Sequence, residues 1–328
     1  MSTSDLSPRV IAVVGAGAVG GWLGARLAAA GHDVRMVGRP AFVEAVAAHG
    51  LRFVDASGEL RARVRAQTTP AGLEEADLVL LTTKSRDTVP TAEALAPHLR
   101  AHAAVLSLQN GVDNAARAAA VLGRAVWAAA VYVGVEVDAP GVVRHTGRGD
   151  LLLGGAPTPP PGASDAGPTS TSHAASLRAF ADALAATFTA AGVPTRVVDD
   201  VGRALWQKLV VNVAYNAISA ITRRPYGVLL ADPALRAWML ALADEALRVA
   251  EAAGVGLDVA AERAGLWRVG EAMPAQLSST AQDLLRGRPT EIEALNGHVA
   301  QLGARLAVET PENARVTAIV RALEGRGA

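Results

Sequence analysis

The stretch Val10–Gly21 reads V-I-A-V-V-G-A-G-A-V-G-G and is the most informative part of the chain. Its first residues are all apolar and predict a buried strand. Gly15, Gly17 and Gly20 then complete the pattern G-x-G-x-x-G, and an apolar helical segment, Trp22–Ala30, follows them. A strand, a glycine-rich turn and a helix in this order predict the start of a βαβ unit.

Each glycine has a physical function in a turn of this kind. The first allows the tight turn, the second lets a backbone approach a pyrophosphate closely, and the third lets helix and strand pack tightly. The N-terminus of the following helix offers free N–H groups and a partial positive charge to phosphates. We therefore predict a dinucleotide site, against the alternative of a plain glycine-rich turn. Its residues are Gly15, Ala16, Gly17, Ala18, Val19 and Gly20.

Arg39 indicates which dinucleotide is bound. A second predicted strand, Asp33–Val37, ends in V-G-R-P, which contains no carboxylate. In proteins that bind NAD, an Asp or Glu about 20 residues past the glycines holds the ribose 2′-hydroxyl. A guanidinium at this place can instead form paired, charge-assisted hydrogen bonds to a 2′-phosphate. We favour NADP over NAD, and the alternative is a solvated surface arginine.

Composition limits the classes of protein. A chain of 328 residues is long enough for two domains, and 51% hydrophobic residues provide a sizeable core. Lys+Arg and Asp+Glu balance at 31 each, so charge predicts neither nucleic acid nor an anionic membrane as partner. The chain has no cysteine, which excludes disulfides and thiolate chemistry and fits a reducing cytoplasm.

No targeting segment, membrane span or metal site is predicted. The first nine residues contain Asp5 and only one basic residue, Arg9, which is unlike a signal peptide. No long apolar run is free of polar breaks, so we expect no transmembrane helix. The seven histidines are scattered without metal-ligand spacing. We expect a small-molecule partner and a cytoplasmic location.

Short apolar runs alternate with helical patterns in the first part of the chain, which predicts βαβ units and a parallel sheet. Predicted strands are Val10–Val14, Asp33–Val37, Leu78–Thr82, Val105–Gln109, Ala128–Val137, Leu151–Gly154 and Thr195–Val198. Predicted helices include Ala41–His49, Thr88–Leu99, Asn114–Leu122 and Ala174–Ala190. Residues 157–172 are rich in Pro, Gly and Ser and predict a mobile surface loop.

Helical patterns dominate after Asp199–Asp200, so we place the domain boundary there. The predicted domains are residues 1–198, which carry the sheet, and residues 199–328, which are helical. The tryptophans at 206, 238 and 267 are interpreted as core or dimer contacts, and the oligomeric state stays open, with a homodimer as one option. His145 is expected at a strand end or in a loop.

Leu205–Thr222 predicts an apolar helix with an unusual polar stripe. Lys208, Asn212 and Asn216 are spaced by four residues, so they lie on one face. A buried lysine is costly unless it has a partner. One interpretation is a cleft-facing lysine with two amides, ready to hold a carbonyl and hydroxyls. The other is a structural lysine at a helix edge, with asparagines bonded to local backbone.

Further candidates follow strands or begin helices. Lys84 and Asn110 follow two predicted strands, and ligands of open α/β sheets bind beyond the carboxyl ends of the strands. A solvated lysine and a plain Asn-Gly turn are the alternatives. Glu291 lies at a predicted helix start, where a carboxylate is favoured in any case. Ser278 and Ser279 could simply cap a helix.

These pieces together resemble the ketopantoate reductase family over nearly the whole chain. The motifs, in the family's order, are G-A-G-A-V-G-G, the strand-end Arg39, T-K at 83–84, Q-N-G at 109–111, W-Q-K-L-x-x-N-x-x-x-N at 206–216, S-S-x-x-Q-D at 278–283 and T-E-I-E-x-x-N-G at 290–297. The resemblance implies an N-terminal Rossmann domain with a doubly wound parallel sheet, an all-helical C-terminal domain, and an active site in the cleft between them. It also implies NADPH as hydride donor and a branched 2-oxo acid as acceptor.

The resemblance also implies a role for each matching residue. Lys208 corresponds to the general acid and Glu291 to the carboxylate that engages the substrate hydroxyl and orients the lysine. Asn110 and Lys84 correspond to residues near the nicotinamide and the substrate, and Arg39 to the 2′-phosphate contact. The remaining substrate-binding positions are Asn212, Asn216 and Ser279.

The implied reaction is NADPH-dependent reduction of 2-dehydropantoate (ketopantoate) to (R)-pantoate, for pantothenate and coenzyme A synthesis. Thr280 replaces the methionine that is usual after the paired serines, which leaves the identity of the substrate open. One alternative is a related NADP-dependent enzyme that acts on a different branched 2-oxo acid. Another is an NADPH-binding sensor without turnover, which would not need a proton donor such as Lys208.

Overall fold

We describe the fold from a computed structural model of the chain, which describes residues 9–162 and 171–325. The chain divides into two compact units. The first runs to Gln109 and resumes from Asp113 to Val201, and the second contains Asn110–Val112 and the chain from Gly202 onward. The division proposed from the sequence assigned Asn110–Val112 to the sheet domain. Here they group with the helical unit because Val112 packs against its core.

The first unit carries strands and helices in alternation. Its strands are β1 Val10–Val14, β2 Asp33–Val37, β3 Leu51–Asp55, β4 Gly58–Ala62, β5 Arg65–Gln67, β6 Leu78–Leu81, β7 Ala104–Ser107, β8 Trp127–Ala139, β9 Val142–Gly154 and β10 Thr195–Val198. Its helices are α1 Ala18–Ala29, α2 Pro40–His49, α3 Thr88–Leu95, α4 Asn114–Leu122 and α5 Thr171–Ala190. The elements that follow are all helical: α6 Val201–Thr222, α7 Tyr226–Ala231, α8 Pro233–Ala252, α9 Val259–Ala272, α10 Ser279–Leu285, α11 Asn296–Arg305 and α12 Pro311–Glu324.

Within the described residues, ten strands form one sheet. Six neighbours in the order β5-β2-β1-β6-β7-β8 are all parallel. Numbered among themselves along the chain, these six have the order 3-2-1-4-5-6 of a Rossmann fold. The strand order reverses between β1 and β6, and ligands of such sheets bind at the carboxyl ends of the strands beside this reversal. The predicted fold class is confirmed.

The sheet continues past β8 with strands that the sequence signals only weakly. The strand β9 is antiparallel to β8 and is much longer than the predicted Leu151–Gly154. It contains His145, so the expected loop or strand-end position of this residue is wrong. Glycines and charged residues, and shifts of register at Gly134 and Val135, disturb the period-2 pattern. The strands β3, β4 and β5 were not predicted. β4 and β5 lie at the two ends of the strand order and contain charged residues, which is common at sheet edges, and Arg52 and Asp55 interrupt the apolar residues of β3.

Several helix boundaries also differ from the sequence-based ones. The helix α1 begins at Ala18, inside the glycine motif, rather than at Trp22. The helix α3 ends at Leu95, and a 3-10 turn, Ala96–His98, replaces its predicted end. Pro97 explains this change, since a proline has no N–H to donate to the helix. The predictions for residues 163–170 and for the first eight residues lie outside the described residues.

Each unit has its own hydrophobic core. In the first unit, Ile11 and Val13 of β1 pack with Trp22 of α1 and Phe188 of α5, and all four are buried. In the second unit, α6 contributes much of the core, and every residue from Val213 to Ala220 on it is buried, as in a helix that packs on all sides. The predicted apolar character of this helix is confirmed. Burial of a large apolar side chain contributes about 1.5–3 kcal/mol, so α6 is firmly held.

Candidate active site

The glycine motif of the first unit contains two glycines that the protein itself requires. Gly15 has a φ of +112°, and a β-carbon there would lie 2.6 Å from the backbone N of Thr83. A β-carbon on Gly20 would lie 2.0 Å from the carbonyl O of Gly15. The turn is further held by Thr82, whose hydroxyl donates to the same carbonyl at 2.7 Å. Larger residues at 15 and 20 would therefore displace backbone.

Gly17 differs from these two glycines. It is exposed, and a β-carbon there would meet no described atom within 4 Å. Gly17 is also the N-cap of α1, a helix of 12 residues whose first turn contains no acidic residue. The first N–H groups of a helix lack partners within the helix and attract anions. The segment thus has both the space and the donors that a pyrophosphate needs, with Ala16, Ala18 and Val19 beside them.

Arg39 follows β2 and is the N-cap of α2. Its side chain is exposed and makes no hydrogen bond or ion pair with any described residue. Arg35, on the same strand, is different: it is buried, bonded to the carbonyl O of Gly72 at 2.8 Å and paired with Glu75. The hydrogen bond that Arg35 donates to the carboxylate of Glu75 raises the pKa of Arg35. Arg35 is therefore committed to the fold, whereas the guanidinium of Arg39 is available to a ligand.

A single amide links the two charged candidates of the second unit. Oδ1 of Asn110 accepts a hydrogen bond from Nζ of Lys208 at 2.9 Å. Nδ2 of Asn110 donates to Oε2 of Glu291, also at 2.9 Å. The structure thus brings together three residues that lie far apart in the sequence. We name Lys208, Asn110 and Glu291 the Lys–Asn–Glu cluster.

The backbone around the cluster explains how each member is placed. Lys208 is half-buried on α6, and Glu291 is buried at the start of the 3-10 turn Ile292–Ala294. The end of α12 holds the segment of Glu291, because Glu324 accepts from the backbone N of Thr290 at 2.7 Å. Gly111, with a φ of +101°, turns the chain directly after Asn110.

The predicted polar stripe of α6 is only partly engaged. Asn216 is buried, and its Nδ2 lies 3.4 Å from Oγ of Ser279, which is a long hydrogen bond. Asn212 is half-buried and makes no hydrogen bond with any described residue. Ser278, rather than Ser279, is the N-cap of α10, and its Oγ accepts from the backbone N of Ala281 at 3.0 Å. The capping interpretation therefore applies to Ser278, and Ser279 has no capping role.

Lys84 belongs to the first unit, in the segment that follows β6. It is half-buried and is the N-cap of the 3-10 turn Ser85–Asp87, where its carbonyl accepts from the backbone N of Asp87 at 2.8 Å. Lys84 and Lys208 are the only lysines of the chain, and all other residues of the Lys+Arg set are arginines. Both lysines therefore belong to the residues that the sequence nominated for a site.

Sequence reasoning missed a buried polar network at the ends of β6 and β7. Its members are Thr83, Ser85, Thr88, Ser107, Gln109 and Asn114. The residues come from two segments, and hydrogen-bonded partners in different segments are at least 21 residues apart, so no local pattern predicts their contacts. Gln109 lies in the quoted motif Q-N-G, and its glutamine was the available signal.

Among the described residues, no group of three or more His, Cys, Asp or Glu side chains could hold a metal ion. Across residues 9–162 and 171–325, no helix combines the length and the apolar character that crossing a membrane requires.

The chain is similar to known proteins over nearly its whole length. The family model described as ketopantoate reductase PanE/ApbA matches residues 11–158, and that of its C-terminal part matches residues 200–324. The chain is 35% identical to the 2-dehydropantoate 2-reductase of Mesorhizobium japonicum, covering 95% of this chain and 97% of that protein. It is 30% identical to the same enzyme of Pyrococcus abyssi, covering 96% and 99%.

Solved structures are also similar to this chain. A PanE/ApbA family ketopantoate reductase from Ralstonia eutropha is similar with a TM-score of 0.85 and 43% identity, covering 97% of this chain and 99% of that one. D-mandelate dehydrogenase, in complex with NADH and anilino(oxo)acetate, has a TM-score of 0.86 at 22% identity over the same shares, which shows a common fold alone. Since the two family models together match most of the chain, this protein belongs to the ketopantoate reductase family of oxidoreductases.

Proposed function

We propose that this protein reduces 2-dehydropantoate to (R)-pantoate with NADPH, as a step toward pantothenate and coenzyme A. Membership of the family supports the reaction class. The observation that carries the proposal is the Lys–Asn–Glu cluster, in which Asn110 bonds to both charged side chains at 2.9 Å. A cation and an anion on either side of one amide provide a proton donor whose position is fixed.

Lys208 is the proposed general acid. Addition of hydride to the carbonyl carbon of a ketone builds negative charge on its oxygen. The ammonium of Lys208 stabilises this charge and then transfers a proton to the oxygen, which completes the hydroxyl group. The nearby carboxylate of Glu291 favours the charged form of the lysine, because an opposite charge stabilises an ammonium.

Asn110 holds the donor in place. Its carbonyl oxygen faces Lys208 and its NH₂ group faces Glu291, so each end of the amide meets the partner of suitable polarity. Glu291 is proposed to engage the hydroxyl of the substrate. Asn212, Asn216 and Ser279 are proposed to bind its remaining polar groups, together with Lys84. Asn212 suits this role because it makes no hydrogen bond with a described residue.

NADPH is the proposed cofactor, and when bound it supplies the hydride. The turn Gly15–Gly20, in which Gly17 is exposed, and the first N–H groups of α1 suit the pyrophosphate, and Asn110 and Glu291 are proposed to contact the nicotinamide along with Lys84. Arg39 suits the 2′-phosphate, since its exposed guanidinium is not paired with any described residue. We accordingly assign NADP binding to residues 1–198 and catalysis to residues 199–328.

A related reductase of another branched 2-oxo acid is the second candidate. Thr280 favours it, because this residue is buried next to Ser279 and its hydroxyl has no hydrogen-bond partner among the described residues. A buried hydroxyl in this state is costly. A substrate with a polar group that hydrogen-bonds to Thr280 would differ chemically from one that packs against a methionine at the same position.

The test is the rate of NADPH oxidation with 2-dehydropantoate, beside a panel of other branched 2-oxo acids and with NADH in place of NADPH. Fast turnover specific to 2-dehydropantoate and NADPH is the expected result. Turnover with another oxo acid would move the assignment to the second candidate. Binding of NADPH with no turnover of any oxo acid would contradict both and favour a sensor.

A further inference from the structure

Gln109 has no role in the proposed reaction, yet it lies between the sheet and the Lys–Asn–Glu cluster along the chain. It follows β7 and directly precedes Asn110. Its side chain is buried in the first unit, with 6% exposed. A buried glutamine is stable only when its amide groups are hydrogen-bonded, so its partners show what it holds.

The side-chain amide of Gln109 is directed at the neighbouring strand-end segment. Nε2 lies 3.1 Å from the carbonyl O of Thr83, 3.2 Å from the hydroxyl of the same residue and 2.8 Å from the hydroxyl of Thr88. Oε1 accepts from the hydroxyl of Ser107 at 3.1 Å. Gln109 thus ties the end of β7 to the residue that directly precedes Lys84.

A second layer of bonds holds the same segment. The hydroxyl of Thr88 lies 2.8 Å from Oδ1 of Asn114, and Nδ2 of Asn114 lies 3.2 Å from Oγ of Ser85. Arg117 donates to the carbonyl O of Ser85 at 3.0 Å. Thr88, Ser85 and Asn114 are almost fully buried. The segments on either side of Gln109 and Thr83 are therefore fixed by several partners.

We propose that Gln109 is a positioning residue of the reaction and that it acts through Asn110. Its side-chain hydrogen bonds go to Ser107, Thr83 and Thr88, all in the first unit. The bonds to Thr83 and Thr88 fix the backbone from which Asn110 emerges, and Asn110 holds both members of the charged pair. Without these bonds the carbonyl of Thr83 loses a buried donor, and the end of β7 gains freedom.

The size of the effect follows from the demands of positioning. A displacement of about 1 Å of a catalytic constellation can lower turnover about 100-fold. A positioning residue that acts through one neighbour should also lose its effect when that neighbour is removed, because the two then share one interaction. A residue with a purely structural role gives the same loss in either background.

The inference rests on the proposed function, so its experiment separates the two. Four proteins are compared at saturating NADPH: the wild type, Gln109→Met, Asn110→Ala and the double variant. We expect Gln109→Met to lower kcat about 10- to 100-fold, with the Kd for NADPH changed less than about threefold. In the Asn110→Ala background, Gln109→Met should change kcat by less than about threefold.

Gln67→Met is the matched control. Gln67 is the last residue of β5 and also holds a loop through Nε2, which donates to the carbonyls of Thr69 and Ala71 at 2.7 and 2.6 Å. Its loop carries no proposed site residue, so its kcat should equal that of the wild type. If Gln109→Met does not fold, Thr88→Val removes one of the acceptors and should show the same non-additivity with a smaller loss.

An equal loss in both backgrounds, or a wild-type kcat in Gln109→Met, would overturn the inference while leaving the proposed function intact. A wild type that reduces no oxo acid would instead defeat the proposed function. In that case amide hydrogen exchange tests the positioning role of Gln109, because this measurement needs no turnover. The amides of residues 110–112 should exchange faster in Gln109→Met than in Gln67→Met, and equal exchange in the two would refute the positioning role.

Discussion

Asn110 illustrates how far a single residue can be interpreted before the structure is known. The sequence placed it beyond a strand and left a plain Asn-Gly turn as the alternative. Its bonds to Lys208 and Glu291 bring it into the candidate site, and they also settle the orientation of its amide. No local pattern could predict these bonds, because the partners lie 98 and 181 residues away along the chain.

Gln109 shows the same limit for a residue that was not nominated at all. Its motif was noticed, but its partners Thr83 and Thr88 lie 26 and 21 residues before it. Side chains that meet only through the pairing of β6 and β7 give no periodic signal in sequence. Residue types near strand ends were therefore predictable, whereas their hydrogen-bond partners were not.

Arg39 provides a prediction about cofactor choice. Arg39→Ala should raise the Kd for NADPH about 10- to 100-fold and leave the Kd for NADH nearly unchanged, because a hydrogen bond to a charged group contributes about 1.5–3 kcal/mol. Titration of cofactor fluorescence measures both constants. Arg65→Ala is the control, since Arg65 is an exposed arginine that pairs with Asp33 at 3.2 Å. Equal weakening of both cofactors would remove Arg39 from the 2′-phosphate site.

At the level of elements, the strands on either side of the reversal of strand order were predictable, whereas β3, β4 and β5 were not. β1 has the predicted bounds because an uninterrupted apolar run marks a buried strand, and β2 and β10 have the predicted bounds although polar and charged residues interrupt them. The edge strand β4 reads G-E-L-R-A, and its charged residues conceal it. The start of α1 was placed too late because the glycines that begin it disfavour helix in any local measure.

The glycine turn allows a prediction that separates stability from binding. Gly20→Ala should unfold more easily, by about 1–3 kcal/mol, because its β-carbon would overlap the carbonyl O of Gly15. Gly17→Ala should keep the wild-type urea midpoint and bind NADPH more weakly, because its β-carbon occupies the space proposed for the pyrophosphate. Gly256→Ala, also in open space, should change neither property. Normal NADPH binding by Gly17→Ala would contradict the assignment.

The buried contact between α8 and α12 supports a second prediction. Asn313 is fully buried, and its Nδ2 donates to Glu245 at 2.7 Å and to the carbonyl O of Leu242 at 3.1 Å. Its Oδ1 accepts from Asn296 at 2.9 Å. Asn313→Ala removes one partner from each of these groups, while Glu245 still accepts from the backbone N–H groups of residues 312 and 313. We expect the free energy of unfolding to fall by about 1–3 kcal/mol, as measured by urea denaturation.

Thr317→Val is the control for this variant. Thr317 is also buried on α12, but its hydroxyl bonds only to the carbonyl O of Asn313, within the same helix, at 2.7 Å. We expect a loss of less than about 1 kcal/mol from it. An equal loss of unfolding free energy in the two variants would mean that the hydrogen bonds around Glu245 do not stabilise the packing of α12.

The sequence was most informative about the architecture of the whole molecule. The alternation of strand and helix patterns, followed by helices alone, predicted the fold class, and the structure confirms it. Those patterns persist over many residues, so errors at single boundaries do not alter them. The grouping of Asn110–Val112 with the helical unit was not predictable, since it depends on the packing of Val112.

Stability of the whole chain should decline in alkaline solution. Burial raises the pKa of Tyr215 to about 12 and also raises the pKa of Tyr226, whereas an unfolded tyrosine titrates near 10.0. Above pH 10 the two phenols therefore keep their protons in the folded state and lose them in the unfolded state. This stabilisation is complete below pH 10 and is lost as the pH rises toward 12.

Tyr226→Phe measures this effect. It removes the hydroxyl and keeps the ring, which packs 4.5 Å from that of Tyr215. We expect the urea midpoint of the wild type to fall between about pH 9 and about pH 11, and to fall less in Tyr226→Phe. An identical pH dependence in the two proteins would show that Tyr226 does not titrate with unfolding.

The role of Lys208 as general acid is tested most directly by the kcat of Lys208→Ala with NADPH and 2-dehydropantoate, measured together with the Kd for NADPH. Loss of a general acid lowers turnover by about 10²–10⁴-fold. We expect a decrease of this size with cofactor binding nearly intact, because Lys208 is proposed to act on the substrate oxygen. Unchanged turnover would remove Lys208 from the reaction and, with it, the mechanism based on the Lys–Asn–Glu cluster.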